Sequence, residues 1–268
     1  MKLLKITDRE IPELDRHFEE VENVSVEDVA PEVRDNTANV KVKGKPVEGF
    51  DAVYTEIPQN NAIFGRVLLE IIEEKGLKTN YPSTAFFIMS KKNYLYHVLH
   101  EKKVPSVKTA VIASEKASRN IESELKGPLI ARRFDEDLEN ERTKLSTVEE
   151  INEFADGIDH GNKFVVFHEL NRGDKYRCLV CGDSCISLMD NSDDWDFSKD
   201  NLQYHSISKD QKEIVMKARK AIGTPVAEVL LRDGKVEDVN PNPDLEMYKE
   251  ISGKNAYKDV VEAIKGDE

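Results

Sequence analysis

The chain has 268 residues, with 39 basic and 52 acidic side chains, a formal net charge of −13 and 39% hydrophobic residues. That length allows one large domain or two modest ones, and the apolar fraction suffices for a packed core, which excludes wholesale disorder. The acidity excludes a binder of the nucleic-acid backbone, which needs a net basic face, but leaves room for a small anionic ligand held by local cations.

Taken in chain order, strand-like and helix-like segments alternate, the pattern of an α/β or α+β protein. KLLKI opens as a short strand, whereas residues 16–46 are charged and too weakly periodic to place. GFDAVYTEI (49–57) reads as a buried strand. A helix follows, with Phe64, Val67, Leu68, Ile71 and Ile72 at three- to four-residue spacing and Gly76 as its stop. The apolar TAFFIM (84–89) reads as another strand, with Ser90 as cap of a helix lined by Leu95, Val98 and Leu99. VKTAVIA (107–113), a polar helix near 114–125 and the strand LIARR come next. Thr147 to Glu150 forms a capping box opening a short helix that should end at Gly157. From 163 the pattern turns β-rich, with KFVVFHEL and YRCLVCGDSCISLM, the latter folded at Gly182-Asp183. Ser208 to Gln211 is a second capping box, for a helix reaching Gly223, and a last helix covers 255–265. No apolar run reaches the roughly 18–20 residues of a membrane span. The start lacks the apolar stretch of a signal peptide, and three cysteines confined to 178–185 make no stapling framework. A reducing, cytoplasmic location is expected.

The most informative segment is TPVAEVLLRDGKVEDVNPNPDL (224–245). Asp238 and Asn240 lie two apart on a predicted strand and share a face, while Glu228 sits on the strand before it. Three oxygen-bearing side chains of this kind suit Mg²⁺, which keeps several waters and shares a phosphate-bearing ligand. Register decides whether they meet. A two-residue Asp233-Gly234 turn would pair Val229 with Asp238 and send Glu228 to the other face; a three-residue turn or a bulge at Gly234 would pair Glu228 with Asn240.

The string VEDVNPNPDLEMYKEISGKNAYKDVVEAI resembles the closing segment of the ATP-grasp superfamily, in particular its RimK-like carboxylate–amine ligases. DAVYTEIPQNNAIFGRVLLEIIEEKGLKTN, SKKNYLYHVLHEKKVPSVKT and FVVFHELNRGDKYRCLVCGDSCISLM resemble earlier segments in the same order, so the likeness covers roughly 49–268. It implies an α+β ATP-grasp fold, with two lobes (81–162 and 163–268) clamping the nucleotide and a small α/β pre-domain at 1–80. It further implies ATP and Mg²⁺, and ligation of a small-molecule or peptide carboxylate to an amine through an acyl-phosphate. A homo-oligomer is compatible with it; a nucleic-acid or membrane partner is not expected.

Residue by residue, the resemblance makes Lys92 and Arg132 the phosphate cations. It assigns adenine to the hinge His168-Glu169-Leu170 and the ribose to Asp174, since the aligned position is Lys175. It makes Arg177 the catalytic arginine and Glu228, Asp238 and Asn240 the metal ligands, with Asn201 and Lys199 in the substrate loop. Two departures favour an alternative, a scaffold that binds or regulates without catalysis. The family's phosphate-covering loop is glycine-rich because amides must approach phosphate without a Cβ in the way. The equivalent stretch here, 133–146, holds no glycine and five acids, which would repel a triphosphate. A second family arginine is replaced near Asp190-Asn191. Elsewhere, Cys178, Cys181 and Cys185 with His168 or His205 have the composition of a zinc knuckle. Strand alternation opposes it by sending Cys178 and Cys181 to opposite faces. His97 and His100, three apart on a helix, read as a solvated face.

Overall fold

The computed structural model describes residues 1–266 except 36, 136–137, 157, 159–162 and 193–194, and gives the main chain alone at 45 and 122. Its first strand, β1 (Lys2–Ile6), is buried at four of five positions. The short helix α1 (Pro12–Asp15) and strand β2 (Glu20–Val24) follow. The stretch without readable periodicity forms β2 and an antiparallel sheet of β3 (Val29–Arg34), β4 (Thr37–Val42) and β5 (Lys45–Pro46). Then come β6 (Ala52–Thr55), helix α2 (Ala62–Glu74) and β7 (Lys78–Thr79). Strands β2-β1-β6-β7 form one parallel sheet. All of β6 is buried, the continuous apolar signature of a parallel strand covered on both faces.

TAFFIM is not a strand. It lies in helix α3 (Ser83–Ser90), and Ser90 closes that helix instead of capping α4 (Lys92–Glu101), which starts after Lys91. Six of the eight α3 residues are buried, so no polar face exposes the helical period. Its first turn is capped from α2: Ser83 N and Oγ both donate to the Glu73 carboxylate at 2.7 Å. Gly65 lets the two helices approach, since a Cβ there would lie 2.2 Å from Phe86 Cε1. The Phe86 ring is fully buried and stacked on Tyr81 at 5.2 Å, so it has nowhere to go. Gly65→Ala is therefore expected to lower stability by about 1–3 kcal/mol, the cost of overpacking. An unchanged urea midpoint would mean that α2 and α3 part freely.

The next sheet has the order β10-β9-β11-β8. Its members are β8 (Thr109–Ile112), then, after a 3₁₀ turn and the four-residue α5 (Ile121–Glu124), β9 (Leu129–Asp135), β10 (Leu138–Leu145), the capped helix α6 (Val148–Ala155) and β11 (Lys163–Glu169). The capping box at Thr147 and Glu150 forms as expected; the expected stop, Gly157, lies outside the described residues. The stretch at 133–146 is not a free loop, because β9 and β10 pair along it as a hairpin.

The last sheet, β14-β13-β12-β15-β16, contains β12 (Lys175–Cys181), β13 (Ser184–Asp190), β14 (Leu202–Tyr204), β15 (Val226–Arg232) and β16 (Lys235–Asn240). Helix α7 (Lys209–Ile222) starts with the Ser208–Gln211 box and ends at Gly223 in the left-handed conformation. It covers one face, over Cys178, Val180, Ala227 and Val229. Helices α8 (Leu245–Ser252) and α9 (Ala256–Lys265) pack over Leu179, Cys181 and Leu188 on the other. What α8 and α9 leave of that second face is where β15 and β16 meet the β9–β10 hairpin.

Candidate active site

The turn between β15 and β16 has two residues, Asp233 and Gly234, both at positive φ (52° and 69°), and it pairs Arg232 with Lys235. That turn alone would have separated the trio. The shift comes further along: Leu231 faces Val236 and Leu230 faces Asp238, so Glu237 is the extra residue of a bulge. Glu228 then lies opposite Asn240, and Glu228, Asp238 and Asn240 share one face. The bulge sits at Glu237, not at Gly234, and the Glu237 carboxylate is bonded to the Arg232 guanidinium of the neighbouring strand.

The three side chains form a continuous buried network. Arg177 donates to Glu228 through Nε at 3.0 Å and Nη2 at 2.9 Å. Tyr248 of α8 donates to Glu228 Oε1 at 2.9 Å, and Asn240 Nδ2 to Oε2 at 3.0 Å. Lys92 Nζ reaches Asp238 Oδ1 at 2.7 Å, the Val239 carbonyl at 2.9 Å and Asn240 Oδ1 at 3.3 Å. Arg132 Nη1 donates to Asp238 Oδ2 at 3.0 Å and to the Tyr96 hydroxyl at 3.0 Å. Burial works against the charged form of Asp238, yet Lys92 and Arg132 outweigh it and hold the carboxyl well below the usual range. Burial also lowers the Lys92 pKa, against the pull of Asp238.

The hairpin adds a second ring of charge that residue spacing concealed. A register shift at Asn140 puts Glu139 opposite Phe134 and Arg142 opposite Arg132, so Glu139 and Arg142 face the same side although three residues apart. Glu139 accepts from Arg132 Nε at 2.8 Å and Arg142 Nε at 2.6 Å. Arg142 Nη1 meets Asp196 at 2.7 Å. Asp135 pairs with Lys163 at 3.6 Å and Glu141 with Arg133 at 3.5 Å. Every described acid of the hairpin thus has a basic partner, which reduces the repulsion that its composition suggested; Glu136 and Asp137 lie outside the described residues.

The hinge residues are engaged within the fold. The His168 ring is buried between the Tyr96 and Thr109 hydroxyls, at 3.1 and 2.9 Å. Burial, reinforced by Arg132, lowers its pKa well below the ordinary histidine value. The Glu169 and Leu170 amides donate to the Lys108 and Pro128 carbonyls, so these N–H groups are committed within the sheet. Asp174 is not brought to the trio. It is exposed, and its carboxylate accepts from Tyr176 at 3.5 Å, a residue of the α7 face. Lys175, one residue on, takes the site-facing position and pairs with Asp190 at 3.1 Å. Asn201 is exposed, and Lys199 pairs with Asp244 at 3.3 Å. Cys178 and Cys181 enter different cores, and among the described residues no three His, Cys, Asp or Glu side chains gather as a metal site.

The residues present fit both ligands that the resemblance implies. Asp238, Val239 and Asn240 oxygens surround one cation, the Lys92 ammonium, and are donors of the hard-cation type, while the Glu228 oxygens accept from Arg177, Tyr248 and Asn240. At the hinge end, a cleft of about 400 Å³ is lined by Lys144, Asn171, Arg172, Lys175, Trp195 and Arg232. Asn171 Nδ2 is buried there without a hydrogen-bond partner among the described residues. Cations, an indole ring and an unused amide donor suit a nucleotide.

No family model matches the chain. A protein of Xylella fastidiosa (strain M12) named probable alpha-L-glutamate ligase is 25% identical over 240 residues, which cover 83% of this chain and 78% of that protein. ATP-grasp ligase PsnB, solved with a minimal precursor, superposes with a TM-score of 0.73 at 16% identity over 98% of each chain. A RimK-domain ATP-grasp protein from Sphaerobacter thermophilus gives 0.72 at 13% identity, over 99% of this chain and all of that one. The fold is the α+β ATP-grasp fold, and the sequence likeness to the glutamate ligases covers 83% of the chain.

Proposed function

We propose that this chain is an ATP-dependent ligase that activates a carboxylate as an acyl-phosphate and joins it to an amino group. One observation carries the reading. Two carboxylates and an amide, Glu228, Asp238 and Asn240, lie on one buried face within reach of Lys92, Arg132 and Arg177, beside a cation-lined cleft at the hinge. The relatives named as ligases support the reaction class.

Glu228, Asp238 and Asn240 would hold Mg²⁺, which when bound supplies a Lewis acid that neutralises phosphate charge. Lys92 and Arg132 change partners from Asp238 to the phosphate chain, where a point charge and a forked guanidinium complement each other. Arg177, fixed in orientation by its two bonds to Glu228, stabilises the charge that builds on the transferring phosphoryl group. The carboxylate and amine, small molecule or peptide, enter by a cleft of about 360 Å³ lined by Thr7, Arg9, Glu56, Lys199, Asn242 and Asp244, just beyond the end of β16. This reading takes 1–80 as the pre-domain and 81–162 and 163–268 as the two lobes.

Calorimetry tests the first step. ATP binding strengthened by Mg²⁺ is expected, and Asn240→Ala should abolish most of the Mg²⁺ effect while leaving the protein folded. A folded protein that binds no ATP overturns the ligase reading. A screen of ADP release across carboxylates and amines, starting from L-glutamate, then separates a ligase from a scaffold that binds without turnover.

A further inference from the structure

We infer that Arg142 binds the phosphate chain of the nucleotide, so that an arginine pair across the β9–β10 hairpin supplies the charge a glycine-rich loop would supply through its amides. The inference rests on the nucleotide reading above and adds a residue that no motif marked. Arg142 and Arg132 are direct cross-strand partners. Like charges in that position repel each other unless an anion lies between them. Glu139 is that anion here. It accepts from Arg132 Nε at 2.8 Å and from Arg142 Nε and Nη2 at 2.6 and 3.2 Å. The Asn140 bulge is what puts its carboxylate there.

Glu139 is shared by the two guanidiniums, whose other ends go to Asp238 (from Arg132) and Asp196 (from Arg142), so the carboxylate between them stands where phosphate oxygens would lie. Phosphate oxygens match the fork of each guanidinium, and they would exchange with Glu139. The exchange is open to solvent, since Glu139 and Arg142 side chains each keep 25% of their exposure. The neighbouring residues set the direction. Lys144, two residues along β10 on the Arg142 side, lines the hinge-end cleft, while Arg132 touches Asp238 at the other end. Lys144, Arg142, Arg132 and Lys92 thus form a row of cations from the cleft to the Glu228, Asp238 and Asn240 face. A phosphate chain leaving a nucleoside in that cleft would follow this row. Side chains this long reach phosphate from the strand, so the hairpin needs no glycine.

The test is calorimetry of ATP and AMP, with Mg²⁺, on the wild type and on Arg142→Ala, Arg142→Lys and Glu139→Gln. Arg142→Ala should weaken ATP binding by about tenfold and AMP binding by less than about twofold, with Arg142→Lys between. Glu139→Gln keeps the shape but removes the competing charge, so it should tighten ATP binding several-fold while lowering the thermal midpoint of the free protein. A merely structural arginine would weaken ATP and AMP equally, and Glu139→Gln would then weaken ATP binding too; either result overturns the assignment, as does an Arg142→Ala protein that binds ATP like the wild type. A wild type that binds no ATP fails earlier, before any variant is compared, and removes the nucleotide reading itself.

Discussion

Asp238→Ala is expected to lower the unfolding free energy by about 3–5 kcal/mol, the range for breaking a buried charge pair from one side. Both Asp238 oxygens are committed, Oδ1 to Lys92 and Oδ2 to Arg132, and all three side chains are at most 5% exposed. Without Asp238, Lys92 keeps the Val239 carbonyl and Asn240, and Arg132 keeps Glu139 and the Tyr96 hydroxyl. Two cations would then share a buried site that has lost its central anion. Removing the partner as well should restore part of the loss, because two apolar groups leave no uncompensated charge. The double variant Lys92→Met with Asp238→Leu is therefore expected to be more stable than Asp238→Ala in urea denaturation. A double variant no more stable than the single one would show the pair to be energetically idle. The same pair gives a pH signature. The folded-state pKa of Asp238 lies well below its ordinary value of 3.8, so the unfolded chain binds the extra proton as pH falls. The pair's stabilisation is complete above about pH 5 and drains away below about pH 4. Asp238→Asn should lack this portion of the acid-side slope, which a pH series of denaturation midpoints would detect.

Arg177→Ala is expected to slow ADP release by roughly 10²–10³-fold, the loss seen when one donor to developing charge is removed, with ATP affinity nearly unchanged. The measurement uses whichever carboxylate and amine the screen identifies. Arg177 is held to Glu228 by two hydrogen bonds, so the deletion also leaves Glu228 with Tyr248 and Asn240 alone. Arg177→Lys separates the two effects. It keeps a positive charge but not the fork, and should recover part of the rate while recovering little of the geometry. Equal turnover in Arg177→Ala and wild type would remove Arg177 from the chemistry and leave it as the partner that positions Glu228.

Much of the frame was legible because it depends on local chemistry. Thr147 with Glu150 and Ser208 with Gln211 specify helix starts wherever they occur, and Gly223 ends α7 at a conformation that glycine adopts without strain. The apolar runs of β11, β12 and β15 announced buried strands. TAFFIM was misleading because a helix buried on nearly every side has no polar stripe to betray its period. Asp174, the acid next to the aligned Lys175, lies just before β12 and is exposed, whereas Lys175, the first residue of that strand, faces the site.

The residue types of the site, oxygen donors on 228, 238 and 240 and cations at 92, 132 and 177, were set by the sequence alone. Whether Glu228 meets Asp238 and Asn240 was decided elsewhere, by a single-residue bulge at Glu237, and a second bulge at Asn140 added Glu139 and Arg142 to them. Side-chain direction on a strand alternates with period two, so one inserted residue reverses every side chain beyond it relative to the partner strand. The bulge at Glu237 accompanies a bond to Arg232 on the neighbouring strand, and the one at Asn140 sets Glu139 between two arginines. Such contacts join residues that only the packed sheets bring together, and no local pattern encodes them. Composition chose the chemistry; tertiary packing chose the parity that lets those groups act on one ligand.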